Sequence, residues 1–120
     1  MLYAVLCYHS ETTVADWSKQ EEEQVLAQRA VVKGKLKAQG KLGPVARLMP
    51  TSSAVTLRAG REPLVIDGPF AETKEQLLGF YIFDCSSLEE VIEAARGMLT
   101  ETGSLEIRPL RSLELPSGVK

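Results

Sequence analysis

Two short segments constrain this chain more than anything else in it. Residues 2 to 8, Leu-Tyr-Ala-Val-Leu-Cys-Tyr, and residues 79 to 85, Gly-Phe-Tyr-Ile-Phe-Asp-Cys, carry apolar side chains at consecutive positions rather than at every second one. A strand that faces water on one side alternates, whereas a strand apolar on both sets is covered on both faces. Both segments are therefore expected as interior strands of one sheet. With 120 residues the chain is expected to form one domain. A domain of that size buries about two-thirds of its unfolded surface, enough for a core without disulfide or metal staples. Cys7 and Cys85 are separated by most of the chain, lack the close spacing of a zinc or redox pair, and read as buried free thiols.

Between the two segments the pattern changes period. Ser18 followed by Glu21 forms a capping box, with Glu22 and Glu23 suited to a helix start, and the helix is expected to run toward Gly40. Val25, Val32 and Leu36, with Ala30 alongside, supply its expected buried stripe, while Gly34 predicts a kink or a close packing contact. Short strands are expected around residues 45 to 48 and 53 to 58, followed by a turn at Ala59-Gly60-Arg61 and the strand Leu64-Val65-Ile66. After the second apolar segment, Ser87 and Glu90 make another capping box, and Leu88, Val91, Ile92, Ala95 and Leu99 recur at helical spacing. A last strand spans residues 104 to 110, which leaves a domain over 1–111 and a C-terminal tail over 112–120.

Strand, helix, strands, helix, strand is the order of the α+β class known as ferredoxin-like, β-α-β-β-α-β, with an added hairpin. Right-handed crossovers put both helices on one sheet face. The other face would then be bare, although the interior strands are apolar on that side too. Small domains seldom expose several hundred Å² of contiguous apolar surface. A second copy packing sheet to sheet about a two-fold axis covers it most economically, so a homodimer in the form of a dimeric α+β barrel is expected.

The charge balance narrows the partners. Fourteen Lys and Arg against sixteen Asp and Glu give a net charge of −2, which argues against nucleic acid as a partner. No apolar run approaches the roughly 18 residues of a membrane span, and Met1-Leu2-Tyr3 lacks the basic start of a secretory signal. No membrane partner and a cytoplasmic location are the expectation. There is no Gly-x-Gly-x-x-Gly, Walker loop, His-Glu-x-x-His or nucleophile elbow in the sequence, so neither a cofactor nor a metal is expected.

The most unusual stretch is Asp67-Gly68-Pro69-Phe70-Ala71-Glu72-Thr73-Lys74-Glu75-Gln76-Leu77-Leu78-Gly79. It resembles the signature of the DGPF branch of YCII-related proteins, DGPFAETKEQLGG, departing from it at Leu78. Tyr8-His9 after a strand and Glu106-Ile107-Arg108-Pro109 also match that family's pattern. The resemblance implies a ferredoxin-like subunit that dimerises, with a pocket at the sheet where His and Asp side chains have been suggested as a catalytic pair. Most members have no established activity; one relative is a dehydrochlorinase of a chlorinated hydroxyquinol-type compound, and some genes lie beside extracytoplasmic-function sigma factors. Many members carry Glu in the short strand before Leu-x-Pro, where this chain has Ala46-Arg47-Leu48-Met49-Pro50, which implies an altered pocket.

His9 is the only histidine, so imidazole acid–base chemistry must use it. Asp67 at the end of its strand can orient the ring if the two meet. The structural alternatives are a histidine capping a backbone carbonyl and an aspartate bonding the amides of its own turn. Phe70 is expected to plug the core. Glu72, Lys74 and Glu75 lie where a helical turn could start and are read as a solvated turn with local ion pairs, or, for Glu72 or Lys74, as a polar grip at a pocket mouth. Glu106 and Arg108 share one side of a strand and are expected to pair with charges. Two functions follow. In the first, the chain is a small-molecule enzyme using His9 and Asp67 for proton transfer, such as elimination or isomerisation of a polar ring compound, with Tyr8, Arg47, Phe70, Glu72 and Tyr81 binding the substrate. In the second, it is a non-catalytic dimeric module that binds a ligand or regulates a partner.

Overall fold

The computed structural model describes residues 1–116, so the last residues of the expected tail, 117–120, lie outside the described residues. The elements run β1 (Leu2–His9), α1 (Glu11–Ala15), α2 (Lys19–Ala38), β2 (Leu42–Arg47), β3 (Val55–Arg58), β4 (Leu64–Asp67), β5 (Gln76–Asp84), α3 (Leu88–Arg96) and β6 (Ser104–Pro109). Four strands form one sheet in the order β2-β5-β1-β6, and every neighbouring pair is antiparallel. The two doubly apolar segments are the two inner strands. This is an α+β architecture consistent with a ferredoxin-like fold. β3 and β4 form a separate two-stranded sheet, the added hairpin.

One sheet face carries the core. Tyr3, Val5 and Cys7 from β1 and Tyr81 and Phe83 from β5 are buried together with Leu36 of α2 and Val91 and Ala95 of α3. Both long helices therefore pack on this face. The opposite face presents Leu2, Ala4, Leu6 and Tyr8 of β1 and Phe80 of β5, all only half-buried. On the same face Arg108 donates to Glu106 of its own strand, so these two charges pair with each other.

The helices depart from the expected pattern in instructive ways. The Ser18–Glu21 capping box forms in both directions, with Glu21 N donating to Ser18 Oγ at 3.1 Å and Ser18 N to Glu21 Oε1 at 3.2 Å. The second box forms only by half. Ser87 Oγ accepts from Glu90 N, but the Glu90 carboxylate turns to Lys41 and Ser86 instead, because a charge-assisted bond to an ammonium outweighs a neutral amide. Of the predicted α2 stripe, Leu36 is buried, Val25 and Val32 are half-buried, and Ala30 is exposed. Gly34 meets nothing within 4 Å, so the expected packing contact is absent there. In α3, Val91 and Ala95 are buried but Leu88 and Leu99 are exposed, and Met98 just past the helix end fills the core in their place.

The β3–β4 hairpin stands apart. Val55, Leu57, Leu64 and Val65 are all exposed, and so is Phe70 beyond it, at 78%. The expectation that Phe70 plugs the core is corrected: its carbonyl takes a bond from Arg58 of the hairpin, and no core surface reaches its ring. Accordingly the radius of gyration is 16.2 Å, against ~14 Å for a compact domain of this length. Among the described residues no helix is long and apolar enough to cross a membrane.

Candidate functional site

The first half of α2 diverges from the sheet, and the gap beneath it is a cleft of about 960 Å³. Its floor is set by sheet register. Cys7 lies opposite Gly79 on β1–β5, and Arg47 lies opposite Gly79 on β2–β5, so the three form one row across the helix-facing side. Glycine leaves the centre of the row without a side chain. It is also required there, since a Cβ at residue 79 would stand 2.7 Å from the Ala46 carbonyl oxygen. The next row is Val5, Tyr81 and Val45, and Tyr81 closes the deep end of the cleft.

Two walls complete it. One is built from α1, α2 and the link between them: Val14, Trp17, Val25, Leu26, Arg29 and Lys33. The other follows β2 through Arg47, Leu48 and Met49 to Thr51. The short α1 was not anticipated, yet it joins the walls. Ser10 caps it by accepting from Thr13 N, and the Glu11 carboxylate takes the amide of Thr51 at 2.8 Å together with its hydroxyl. With both bonds made, Glu11 is committed to structure.

His9 lines the cleft from the end of β1 and is 7% exposed. Its Nδ1 lies 3.3 Å from the Ser10 carbonyl oxygen, and its Nε2 lies 2.8 Å from Thr102 Oγ1. A carbonyl can only accept, so Nδ1 carries the proton, and in the neutral ring Nε2 must accept from the Thr102 hydroxyl. Trp17 meets the ring edge-on at 5.2 Å. On the other side Gly103 has φ +88°, and a Cβ there would fall 2.6 Å from His9 Cδ2. The ring is thus held at both nitrogens and between Trp17 and Gly103.

Asp67 does not join it. It ends β4 in the separate hairpin and is exposed, while both His9 nitrogens are engaged elsewhere. Within one subunit the structure does not bring His9 and Asp67 together. Of the other residues expected at a pocket, Tyr8, Arg47 and Tyr81 line the cleft with His9, whereas Phe70 and Glu72 do not. No helical turn forms over Glu72, Lys74 and Glu75; Glu75 accepts from Ser104 Oγ at 2.8 Å.

Arg29, Trp17 and Thr102 were missed by sequence reasoning. Arg29 had a signal. It falls at the helical spacing of Val25, Val32 and Leu36, a cation on an otherwise core-facing stripe. Its Cζ lies 6.0 Å from the Tyr81 ring centroid, and its Nε is enclosed with no hydrogen-bond partner among the described residues. Cys7 beneath it is no counter-charge, because burial pushes the thiol above its ordinary 9.0 and keeps it neutral. Among the described residues no group of three or more His, Cys, Asp or Glu is arranged to hold a metal ion.

Fold and cleft together define an α+β protein with a ligand-sized, partly cationic recess between helix and sheet. The model of the YCII-related domain matches residues 1–114, and the chain belongs to that family. It is 54% identical to an uncharacterised protein of Rhizobium meliloti (strain 1021), over 98% of this chain and all of that one.

Proposed function

We propose that this YCII-related chain works as a two-fold dimer that binds a small organic molecule in the cleft beneath α2, one cleft per subunit. The cleft itself carries the reading. Its volume, about 960 Å³, lies within the roughly 300–1,000 Å³ of small-molecule sites, and it shares their make-up of apolar walls with few polar groups. The binding reading is favoured over the enzymatic one because His9 has both nitrogens occupied. Native mass spectrometry of freshly purified protein tests it, followed by thermal-shift titration of a metabolite library. A compound that raises the melting temperature of the wild type but not of Val25→Trp, which projects an indole into the cleft, is the expected result. A library with no stabilising member overturns it.

The apolar face of β1 and β5, half-buried except at Ile82, supports the dimer. Leu2, Ala4, Leu6, Tyr8 and Phe80 form a continuous patch across adjacent strands, and a two-fold axis lets one such patch cover its own copy. The exposed apolar hairpin, a separate two-stranded sheet, offers a second apolar surface. Light scattering is expected to give about 26 kDa, twice the chain mass of 13.2 kDa. A monomer mass at micromolar concentration rules the dimer out.

A second reading rests on the place of His9, which lines the same cleft. In it, the ring exchanges a proton with a bound polar ring compound, in an elimination or isomerisation, after the Thr102 hydroxyl swings off Nε2. His9→Gln is then expected to abolish turnover of an identified ligand while leaving its affinity within a few-fold. Unchanged turnover excludes it.

A further inference from the structure

We infer that the ligand of this cleft is an amphipathic organic carboxylate, its acid group held by Arg29 and its apolar body lying along Trp17, Val25, Leu26 and Met49. The inference deepens the binding reading above and rests on it.

The argument starts from Arg29. A guanidinium has five N–H donors and cannot be deprotonated in a protein. This one is half-buried, stacks over Tyr81, and makes no salt bridge or hydrogen bond among the described residues. Enclosing the Nε–H of a cation without a partner is costly, and the rest of the half-buried fork is left open toward the cleft, so an acceptor that arrives there is expected to match it. A crevice of about 10 Å³ beside it, lined by His9, Met98 and Thr102, holds at most one water. Water can satisfy an N–H but does not balance the charge.

The surrounding charges point the same way. Lys33 follows Arg29 by one helical turn, ~6 Å along the axis, and Arg47 faces from the opposite wall. Neither pairs with a carboxylate among the described residues. Two acids also line the cleft. Glu11 is engaged by Thr51, and Glu22 stands on the exposed start of α2, ~10 Å along the helix from Arg29. The balance near the floor is therefore positive in a protein whose net charge is −2. The planar fork of arginine suits a carboxylate bound through two oxygens. The apolar walls demand that the rest of the ligand be largely hydrocarbon, which a free phosphate is not.

Calorimetric titration with matched pairs tests this: benzoate against benzamide and 1-naphthoate against 1-naphthamide, with inorganic phosphate alongside. The carboxylates are expected to bind about tenfold or more tighter than their amides, and phosphate more weakly than naphthoate. Arg29→Gln is expected to remove the difference within each pair while leaving amide affinity unchanged. Arg29→Lys, which keeps the charge without the fork, is expected to fall between and serves if the glutamine variant does not fold. Equal affinity within the pairs for the wild type overturns the carboxylate inference and leaves the cleft reading standing. Phosphate binding as tightly as naphthoate overturns the amphipathic class, and a difference that survives in both variants overturns the role of Arg29. If neither member of either pair binds, this inference is overturned, and the cleft reading then stands or falls on the library titration alone.

Discussion

The hydroxyl of Thr102 lies 2.8 Å from Nε2 of His9 across 93 residues of sequence. That one bond, with the Ser10 carbonyl on Nδ1, fixes the tautomer of the only imidazole in the chain. It ties the loop before β6 to the end of β1 at the edge of the cleft.

Thr102→Val removes the donor and leaves Nε2 unsatisfied in a site with little solvent. A loss of ~1–2 kcal/mol of stability is expected, measured by chemical denaturation. In nitrogen-detected NMR the wild-type ring is expected to show the Nδ1–H form alone, and the valine variant a mixture of tautomers. A wild-type ring already in the Nε2–H form contradicts the assignment.

Gly103→Ala tests the other side of the ring. Residue 103 has φ +88°, and the added methyl would sit 2.6 Å from His9 Cδ2. Backbone strain alone costs ~1–3 kcal/mol, and the ring must move as well. The variant is expected to melt several degrees lower and to shift the His9 resonances, whereas Gly34→Ala, with open space around it, is expected to hold or raise stability.

The Lys41–Glu90 pair gives the protein an acid-sensitive joint. Lys41 also receives Asp84 N on its carbonyl at 2.8 Å, so it links the end of α2, β5 and α3. The bond to Lys41, with those from Ser86, lowers Glu90 from 4.5 to about 2. A carboxylate lower in the folded state binds fewer protons than in the unfolded state over that interval. Its contribution is therefore complete above about pH 4.5 and fades as pH falls toward 2. Glu90→Gln is expected to flatten the stability profile through that window in urea melts run at a series of pH values. An unchanged acid slope argues against the pair.

Leu57 and Val65 face each other across the hairpin and are 72% and 70% exposed. If the hairpin joins a second copy, the double variant Leu57→Lys, Val65→Lys is expected to shift the light-scattering mass toward the monomer, with the circular dichroism spectrum intact. A dimer of unchanged strength places the interface on the sheet face alone.

Much of the architecture was legible because it depends on local pattern. Consecutive apolar residues named β1 and β5 as inner strands, and Ser18 with Glu21 named the start of α2, since a capping bond joins residues three apart. The site was less legible. Gly79 closes the family signature, but that it sits between Cys7 and Arg47 follows from strand register, and a bulge at Cys7–Tyr8 adjusts that register. His9 was found as the only imidazole, while its partner came from Thr102 rather than Asp67, because the hairpin carrying Asp67 folds away from the sheet.

The sequence by itself determined the order of the strands and of the two longer helices, which strands are interior and the family to which the chain belongs, all consequences of hydrophobic period, capping chemistry and a long contiguous motif. Tertiary structure alone decided that α2 lifts from the sheet to open a cleft, that the Nε of Arg29 is enclosed there without a partner among the described residues, and that Asp67-Gly68-Pro69-Phe70 lies outside it. These depend on how far apart two packed elements stand, a distance set by side chains remote in the chain, such as Leu36 against the sheet and Gln28 bonding the carbonyls of Gly97 and Leu99 beyond α3.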